Sequence, residues 1–183
     1  MAIETATFGG GCFWCIEALV RMVDGIRKVV SGYAGGDCPG TPTYREVSSG
    51  KTGHAEVVQV IFENTKITYE ELLELFMENH NPAVNTYIKG DYGSQYRSII
   101  LFENEAQQRT AENVVQDYKE RLSKEVRTEI VPMDQFFVAE AYHQDYFNKN
   151  KEAAYCKGII APKIEKLSKK LVQKTENTSH ERI

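Results

Sequence analysis

Three consecutive glycines, Gly9-Gly10-Gly11, stand where the apolar pattern of this chain changes period, and they constrain its fold more than any other feature. Residues 3–8 before them read as a short strand. After them Phe13, Ile16, Val20 and Val23 recur at helical spacing, with Gly25 closing the run, so a helix is expected over residues 13–23. A strand must therefore pass through a permissive hinge straight into a helix, and the residue at the junction is Cys12. A thiol at a helix N-terminus faces unpaired backbone N–H groups and the positive end of the dipole, both of which favour the thiolate. Glycine ahead of it lets substrate and backbone approach closely. On chemistry alone Cys12 is placed as a nucleophile, weighed against the small buried hydrophobe that most free cysteines are. Beside it, Phe13 and Trp14 offer an apolar wall for a small ligand group, against the ordinary alternative of core packing.

The remaining pattern is that of one α+β domain. Residues 26–33 alternate as a strand ending at Gly35-Gly36, and residues 37–53, rich in Gly, Pro, Ser and Thr, read as one long loop of the kind that is usually functional. Residues 55–62 (AEVVQVIF) form a strong strand. Thr68 with Glu71 three residues later makes a capping box, and Leu72, Leu73, Leu75 and Phe76 supply the apolar face of the helix it opens. A second loop is expected over 80–95, a strand over 97–102, an amphipathic helix over 105–122 and a strand over 126–131, stopped by Pro132. Residues 139–173 hold helical segments broken near 153–158, and the polar tail 174–183 is expected to be disordered. This order predicts a single catalytic domain over 1–173. Its expected form is a two-layer α+β sandwich with a mostly antiparallel mixed sheet, a ferredoxin-like core and a C-terminal helical extension.

Composition excludes several function classes. The 183 residues are 42% apolar and 26% charged, ordinary for a globular chain with a real core. A formal net charge of -4 attracts neither nucleic acid nor an anionic membrane. No run reaches the ~18 apolar residues of a spanning helix, and the first residues, Met-Ala-Ile-Glu-Thr, show no basic and apolar leader, so a cytoplasmic location is expected. The cysteines are Cys12, Cys15, Cys38 and Cys156, too few for a disulfide framework. Cys12 and Cys15 have the spacing of a redox pair, though bulky Phe13-Trp14 fills the interval. A zinc site would need two more suitably spaced ligands, and only the lone Cys38 and Cys156 remain, so no metal is expected. Gly50-Lys51-Thr52 mimics the end of a phosphate loop, but Arg45 stands where that motif needs glycine.

The string Gly10-Gly11-Cys12-Phe13-Trp14 resembles the active-site signature of type A methionine sulfoxide reductases. Four further stretches resemble the same family in the right order. They are Gly32-Tyr33-Ala34-Gly35-Gly36; Pro42-Thr43-Tyr44-Arg45-Glu46-Val47 continuing to Ser49-Gly50-Lys51-Thr52-Gly53-His54-Ala55-Glu56; Asp91-Tyr92-Gly93-Ser94-Gln95-Tyr96-Arg97-Ser98; and Ala141-Tyr142-His143-Gln144. Together they span residues 10–144.

The resemblance implies thiol-dependent reduction of the S epimer of methionine sulfoxide, free or in proteins, through a sulfenic acid and an intramolecular disulfide, with no cofactor and with thioredoxin or a similar dithiol as partner. It implies Cys12 as nucleophile, Phe13 and Trp14 as the methyl-binding aromatics, Glu56 as the acid that polarises the sulfoxide, Tyr44 and Tyr96 as donors to its oxygen, and Asp91 as a residue shaping the site. Cys156 matches the resolving cysteine, and Cys15 and Cys38 are candidate relays. There are departures: Asn85-Thr86-Tyr87-Ile88-Lys89 replaces an Asn-Arg-Gln type run, Cys15 stands where glycine is commoner, Cys38 is not a family signature, and Ser48 replaces a common cysteine.

The residues fit that chemistry. A thiolate can attack sulfur, a glutamate desolvated at a strand start and followed by Val57-Val58 would hold a proton for the oxygen, and loop tyrosines can converge as donors. His54 and His143 are expected to be packing residues. Two rival classes remain open: a thiol peroxidase or disulfide oxidoreductase built on Cys12 and Cys15, and a binding module in which Cys12 is inert.

Overall fold

The chain runs β1 (Ile3–Gly9), α1 (Phe13–Val20), β2 (Ile26–Ala34), α2 (Tyr44–Ser48), β3 (Ala55–Glu63), α3 (Tyr69–Asn79), β4 (Tyr87–Ile88), β5 (Asp91–Tyr92), β6 (Ile99–Phe102), α4 (Glu105–Leu122), β7 (Glu129–Pro132), β8 (Phe136–Val138), α5 (Tyr146–Lys149) and α6 (Ala161–His180). The structure, a computed structural model, describes residues 2–83, 87–88, 91–122 and 125–180, and the side chains of all of these except 87–88, 91–92 and 172–180. One six-stranded sheet has the order β7-β6-β1-β3-β2-β8, and β4 pairs with β5. Its ladders are antiparallel except β6–β7, which is parallel. A parallel neighbour needs a crossover connection, and α4 supplies it. The molecule is thus α+β with a mostly antiparallel mixed sheet, as expected from the order of patterns.

Side chains along a strand point alternately to the two faces, and β3 shows both faces buried. Val58, Val60 and Phe62 join Ala6 and Phe8 of β1, Val29 and Tyr33 of β2, Phe13 and Ile16 of α1, and Leu72, Leu73 and Phe76 of α3 in the main core. Ala55 and Val57 turn the other way, into a smaller cluster with Ala34, Ile99 and Leu101. A slip of one residue in β3 would exchange the two sets, so burial on both faces pins the register. That register matters because it sets Glu56 opposite Tyr33 of β2, on the face covered by α1.

Several boundaries differ from those expected. The helix after Cys12 ends at Val20 rather than Val23, because Met22 and Val23 bond three residues back, to Leu19 and Val20, in tighter turns. The loop expected over 37–53 contains α2, opened by a capping box in which the Thr43 hydroxyl accepts from Glu46 N. The loop expected over 80–95 holds β4, β5 and a turn of 3-10 helix at Ser94–Tyr96. Ladders two residues long are too short for any period to reveal. Of the unusual run 85–89, residues 85, 86 and 89 lie outside the described residues. The strand expected over 126–131 is β7, Glu129–Pro132, in which Pro132 takes part next to β6 only, and β8 follows it.

The break expected near 153–158 lies slightly earlier, at 150–153 after α5, and 156–158 are themselves helical. A single turn of π-helix, Cys156–Ile160, leads directly into α6. Pro162 accounts for it: proline lacks the N–H that would reach the Gly158 carbonyl and its ring crowds that carbonyl, so the turn before it widens. The expected tail falls on the last turns of α6 and on residues beyond those described. Among the described residues no helix is long and apolar enough to cross a membrane.

Candidate active site

The glycine hinge brings three segments together. A Cβ on Gly9 would collide with the Glu56 carbonyl, so only glycine lets β1 lie this close to the start of β3. Gly11 has φ +80°, a left-handed conformation that glycine adopts without cost, and its N–H donates to the Tyr96 carbonyl at 2.9 Å. Cys12 follows as the N-cap of α1, with φ -66° and ψ 129°, and its side chain makes no capping hydrogen bond. Glu56 takes that part instead: the first N–H of the helix, on Phe13, donates to Glu56 Oε2 at 3.1 Å. Glu56 is only 1% exposed. The Glu56 carboxyl is therefore fixed at the helix N-terminus that Cys12 opens, where negative charge is favoured.

Tyr44 and Tyr96 belong to the same cluster. Tyr44 is the first residue of α2, not a loop residue as expected, and Tyr96 ends the 3-10 turn. Burial is the main cause raising the Tyr44 phenol, and the charges of Glu56 and Cys12 raise it further, while hydrogen bonds with Ser48 and Tyr96 work against the rise. The Tyr44 phenol thus lies near both Cys12 and Glu56, and Tyr96 bonds to Tyr44. Arg97 ties the surrounding loops together, donating to the carbonyls of Ser94 at 2.9 Å, Gly53 at 2.9 Å and Gly35 at 3.3 Å. The backbone of Asp91 lies in β5, and its side chain is outside the described residues.

The two aromatics after Cys12 part company. Phe13 is fully buried in the main core, beside Tyr33 and His143. Trp14 is half-buried, stacked on Tyr146 with ring centroids 3.7 Å apart, and its Nε1–H donates to His143 Nδ1 at 3.0 Å. His143 therefore has a partner that its place in the sequence does not reveal. Because Nδ1 accepts, the ring proton sits on Nε2, which is buried without a partner. Burial holds His143 below the usual histidine range, so the ring is neutral.

Glu140 was not singled out from the sequence, yet it organises this side of the site. It accepts from the hydroxyl of Tyr33 at 2.9 Å, the backbone N–H of Tyr44 at 3.1 Å and the hydroxyl of Tyr142 at 3.1 Å. Burial acts to raise its pKa, but these bonds and its own backbone N–H outweigh it and hold the carboxyl low. A lone glutamate between Phe136-Phe137-Val138-Ala139 and Ala141 was the available signal: a carboxylate in so apolar a stretch needs donors.

The other thiols are placed unequally. Cys15 is 6% exposed, and its Sγ lies 3.5 Å from the Tyr155 hydroxyl. Cys156 exposes nothing, and burial pushes its thiol up. Cys38 alone is not buried, and its Sγ lies 3.9 Å from the Pro39 carbonyl.

Comparison with known proteins gives one family along most of the chain. Residues 4–176 match the family model described as peptide methionine sulfoxide reductase. The chain is 49% identical over 172 residues to the peptide methionine sulfoxide reductase MsrA of Sulfolobus acidocaldarius, covering 94% of this chain and 97% of that one. It is 46% identical to the MsrA of Saccharolobus solfataricus, covering 91% and 94%. Among solved structures, reduced Mxr1 of Saccharomyces cerevisiae superimposes with TM-score 0.79 at 32% identity over 84% of this chain and 89% of that one. Methionine sulfoxide reductase A of Corynebacterium diphtheriae gives 0.78 at 34% over 82% and 76%. A cysteine capping a helix beside a buried carboxyl, in a chain so matched along its length, leads to one conclusion: this chain belongs to the peptide methionine sulfoxide reductase family.

Proposed function

We propose that this protein reduces the S epimer of methionine sulfoxide, free or in proteins, with Cys12 as nucleophile. The observation that carries the reading is the bond from the Phe13 N–H to Glu56, which sets the buried carboxyl against the residue that follows Cys12. The Cys12 thiolate attacks the sulfoxide sulfur while Glu56, in its protonated form, delivers a proton to the departing oxygen. Tyr44 and Tyr96 donate hydrogen bonds to that oxygen as charge gathers on it. Trp14 forms the wall against which the methyl group rests, with Phe13 backing it from the core. Asp91 orients the site through hydrogen bonds. The products are methionine and a sulfenic acid on Cys12. A second thiol, ultimately Cys156, converts the sulfenic acid to a disulfide, and an external dithiol reduces it.

Thioredoxin suits that last role, and yeast Mxr1 has been solved in complex with Trx2. Cys38, the one thiol that is not buried, is the candidate for relaying the disulfide outward. The catalytic unit is read as residues 1–173, and a reducing cytoplasm, where thiols stay free between turnovers, suits the enzyme. For the core, the order β6-β1-β3-β2 with antiparallel neighbours, and α1 and α3 as the connecting helices, supports a ferredoxin-like, two-layer reading.

The deciding assay is dithiothreitol-driven reduction of the separated R and S epimers of a methionine sulfoxide. Turnover of S alone is expected. Indifference to both epimers, with turnover of a hydroperoxide or of insulin disulfides, would sink the reading in favour of a thiol peroxidase or disulfide oxidoreductase.

A further inference from the structure

The cysteine that departs from the family pattern, Cys15, stands in a place of chemical consequence. A cysteine three residues into a helix is a poor disulfide partner for one inside the same helix, because closing the bond distorts the turn. Here the nucleophile is not inside the helix. Cys12 is the N-cap, with an extended ψ of 129°, and Cys15 is the third helical residue, its N–H donating to the Cys12 carbonyl at 3.1 Å. Side chains at these two positions meet readily, and the molecule shows it twice. In α2 the Thr43 hydroxyl and the Glu46 carboxylate are 2.8 Å apart, and at the start of α3 those of Thr68 and Glu71 are 3.1 Å apart. Residues three apart on a helix have Cβ atoms roughly 5–6 Å apart, and a disulfide needs Cβ atoms about 3.5–4.5 Å apart, so closing the bond asks for a shift of about an ångström. With Gly11 as a hinge before it, Cys12 can swing toward Cys15 while the helix stays wound.

The second observation concerns the far side of Cys15. Its Sγ touches the hydroxyl of Tyr155, the neighbour of Cys156. Cys156 itself is fully buried in the π-turn, where burial keeps its thiol protonated, so the residue expected to resolve the sulfenic acid is the one least ready to do so.

We propose that Cys15 resolves the Cys12 sulfenic acid first and that Cys156 then takes the disulfide over. In the first step Cys15 Sγ attacks the sulfenic sulfur: an S–S bond forms, the S–O bond breaks, and the hydroxide leaves with the Cys15 proton as water. In the second, the Cys156 thiolate attacks Cys15 Sγ, the Cys12–Cys15 bond breaks, and Cys12 leaves as thiolate. No electron is gained or lost in this exchange. The external dithiol reduces the Cys15–Cys156 disulfide and supplies the two electrons for each sulfoxide. Cys12 is thereby freed before the dithiol arrives.

The inference rests on Cys12 being the nucleophile, and the test separates the two. Cys156→Ser and Cys15→Ser are each given one equivalent of methionine (S)-sulfoxide without dithiol, with dimedone present to trap sulfenic acid, and then alkylated and mapped by peptide mass. Cys156→Ser should release one equivalent of methionine and carry a Cys12–Cys15 disulfide with no dimedone on Cys12. Cys15→Ser should show a Cys12 sulfenic acid at least tenfold longer-lived than in wild type. Dimedone on Cys12 with Cys15 free to alkylate, in Cys156→Ser, overturns the proposal. Failure of the nucleophile assignment looks different: Cys12→Ser would still form methionine. Should a variant not fold, rapid quenching of the wild type decides. The Cys12–Cys15 disulfide must precede any disulfide containing Cys156, and the reverse order overturns the relay.

Discussion

The N-terminus of α1 and the π-turn ahead of α6 each present a buried cysteine to the same core, and they do so by opposite means. Cys12 stands outside its helix, beside the first helical N–H that Glu56 accepts, with glycine behind it and 8% of its surface open. Cys156 lies within a helical run, closed off completely, in a turn widened by the proline that follows. The contrast teaches that one cysteine is organised for reaction and the other for delay. A nucleophile gains from being held in place. A resolving thiol is needed only once Cys12 has been oxidised, and the sealed Cys156 can take a disulfide over only after its cover opens. Wide helical turns recur at functional sites for this kind of reason, since they are the weakest part of the hydrogen-bond ladder.

The largest effect should come from Cys12→Ser, which breaks the comparison at its reactive end. A hydroxyl is far less ionised than a thiol and a poor nucleophile toward sulfur, so methionine release should vanish in a dithiothreitol-driven assay. Retained turnover would mean that the prepared helix end does something else. Glu56→Gln keeps the shape and removes the proton: the single-turnover rate should fall ~10²–10⁴-fold, while alkylation of Cys12 continues. If the chemical step is unchanged, Glu56 only caps the helix.

Phe13 and Trp14 sharpen the picture from within α1. Phe13→Ala empties a fully buried site and should cost about 3–5 kcal/mol of stability in denaturant unfolding. Trp14→Ala, at a half-buried ring, should instead lower kcat/KM by roughly 10–200-fold while Tm moves less than for Phe13→Ala. Equal losses of stability would place both rings in the core.

The smallest effect is that of pH on the helix end. Burial lowers the pKa of His143, and it lowers that of His80, which packs against Gly10, to about 4. A histidine whose folded pKa lies below its unfolded value near 6.5 adds stability above pH 6.5 and loses it as pH falls through the folded value. Tm should therefore decline between pH 6.5 and 4, and His80→Gln should flatten that decline. A Tm that holds steady over this interval would show that neither ring resists protonation.

Much of the site could be read before any fold was known. The change of period at Gly9-Gly10-Gly11 located a cysteine at a helix start, the capping box at Thr68 located α3, and the alternation of residues 55–62 located the strand that carries Glu56. These are local facts, and local sequence suffices because backbone conformation and capping are decided within a few residues. The capping box at Thr43–Glu46 was equally present and signalled a helix where composition alone suggested a loop.

What the sequence by itself determined, then, is the chemistry and the local shape: a thiol at a helix N-terminus, a glutamate on an apolar strand, aromatics beside the thiol, and the order of strands and helices. Only the tertiary structure decided which of these meet. That the Glu56 carboxyl reaches the N–H of Phe13, 43 residues away, follows from the pairing and register of β3, which no local pattern encodes. The bond from Trp14 to His143, across 129 residues, and the gathering of three donors on Glu140 arise because the segment after β8 folds back over α1. The same holds for Cys156: proline at 162 foretold a disturbed helix, but whether that disturbance lay open or sealed in the core depended on what packed against it. Burial is a property of the assembled layers, and it turned the expected loose break into a closed turn.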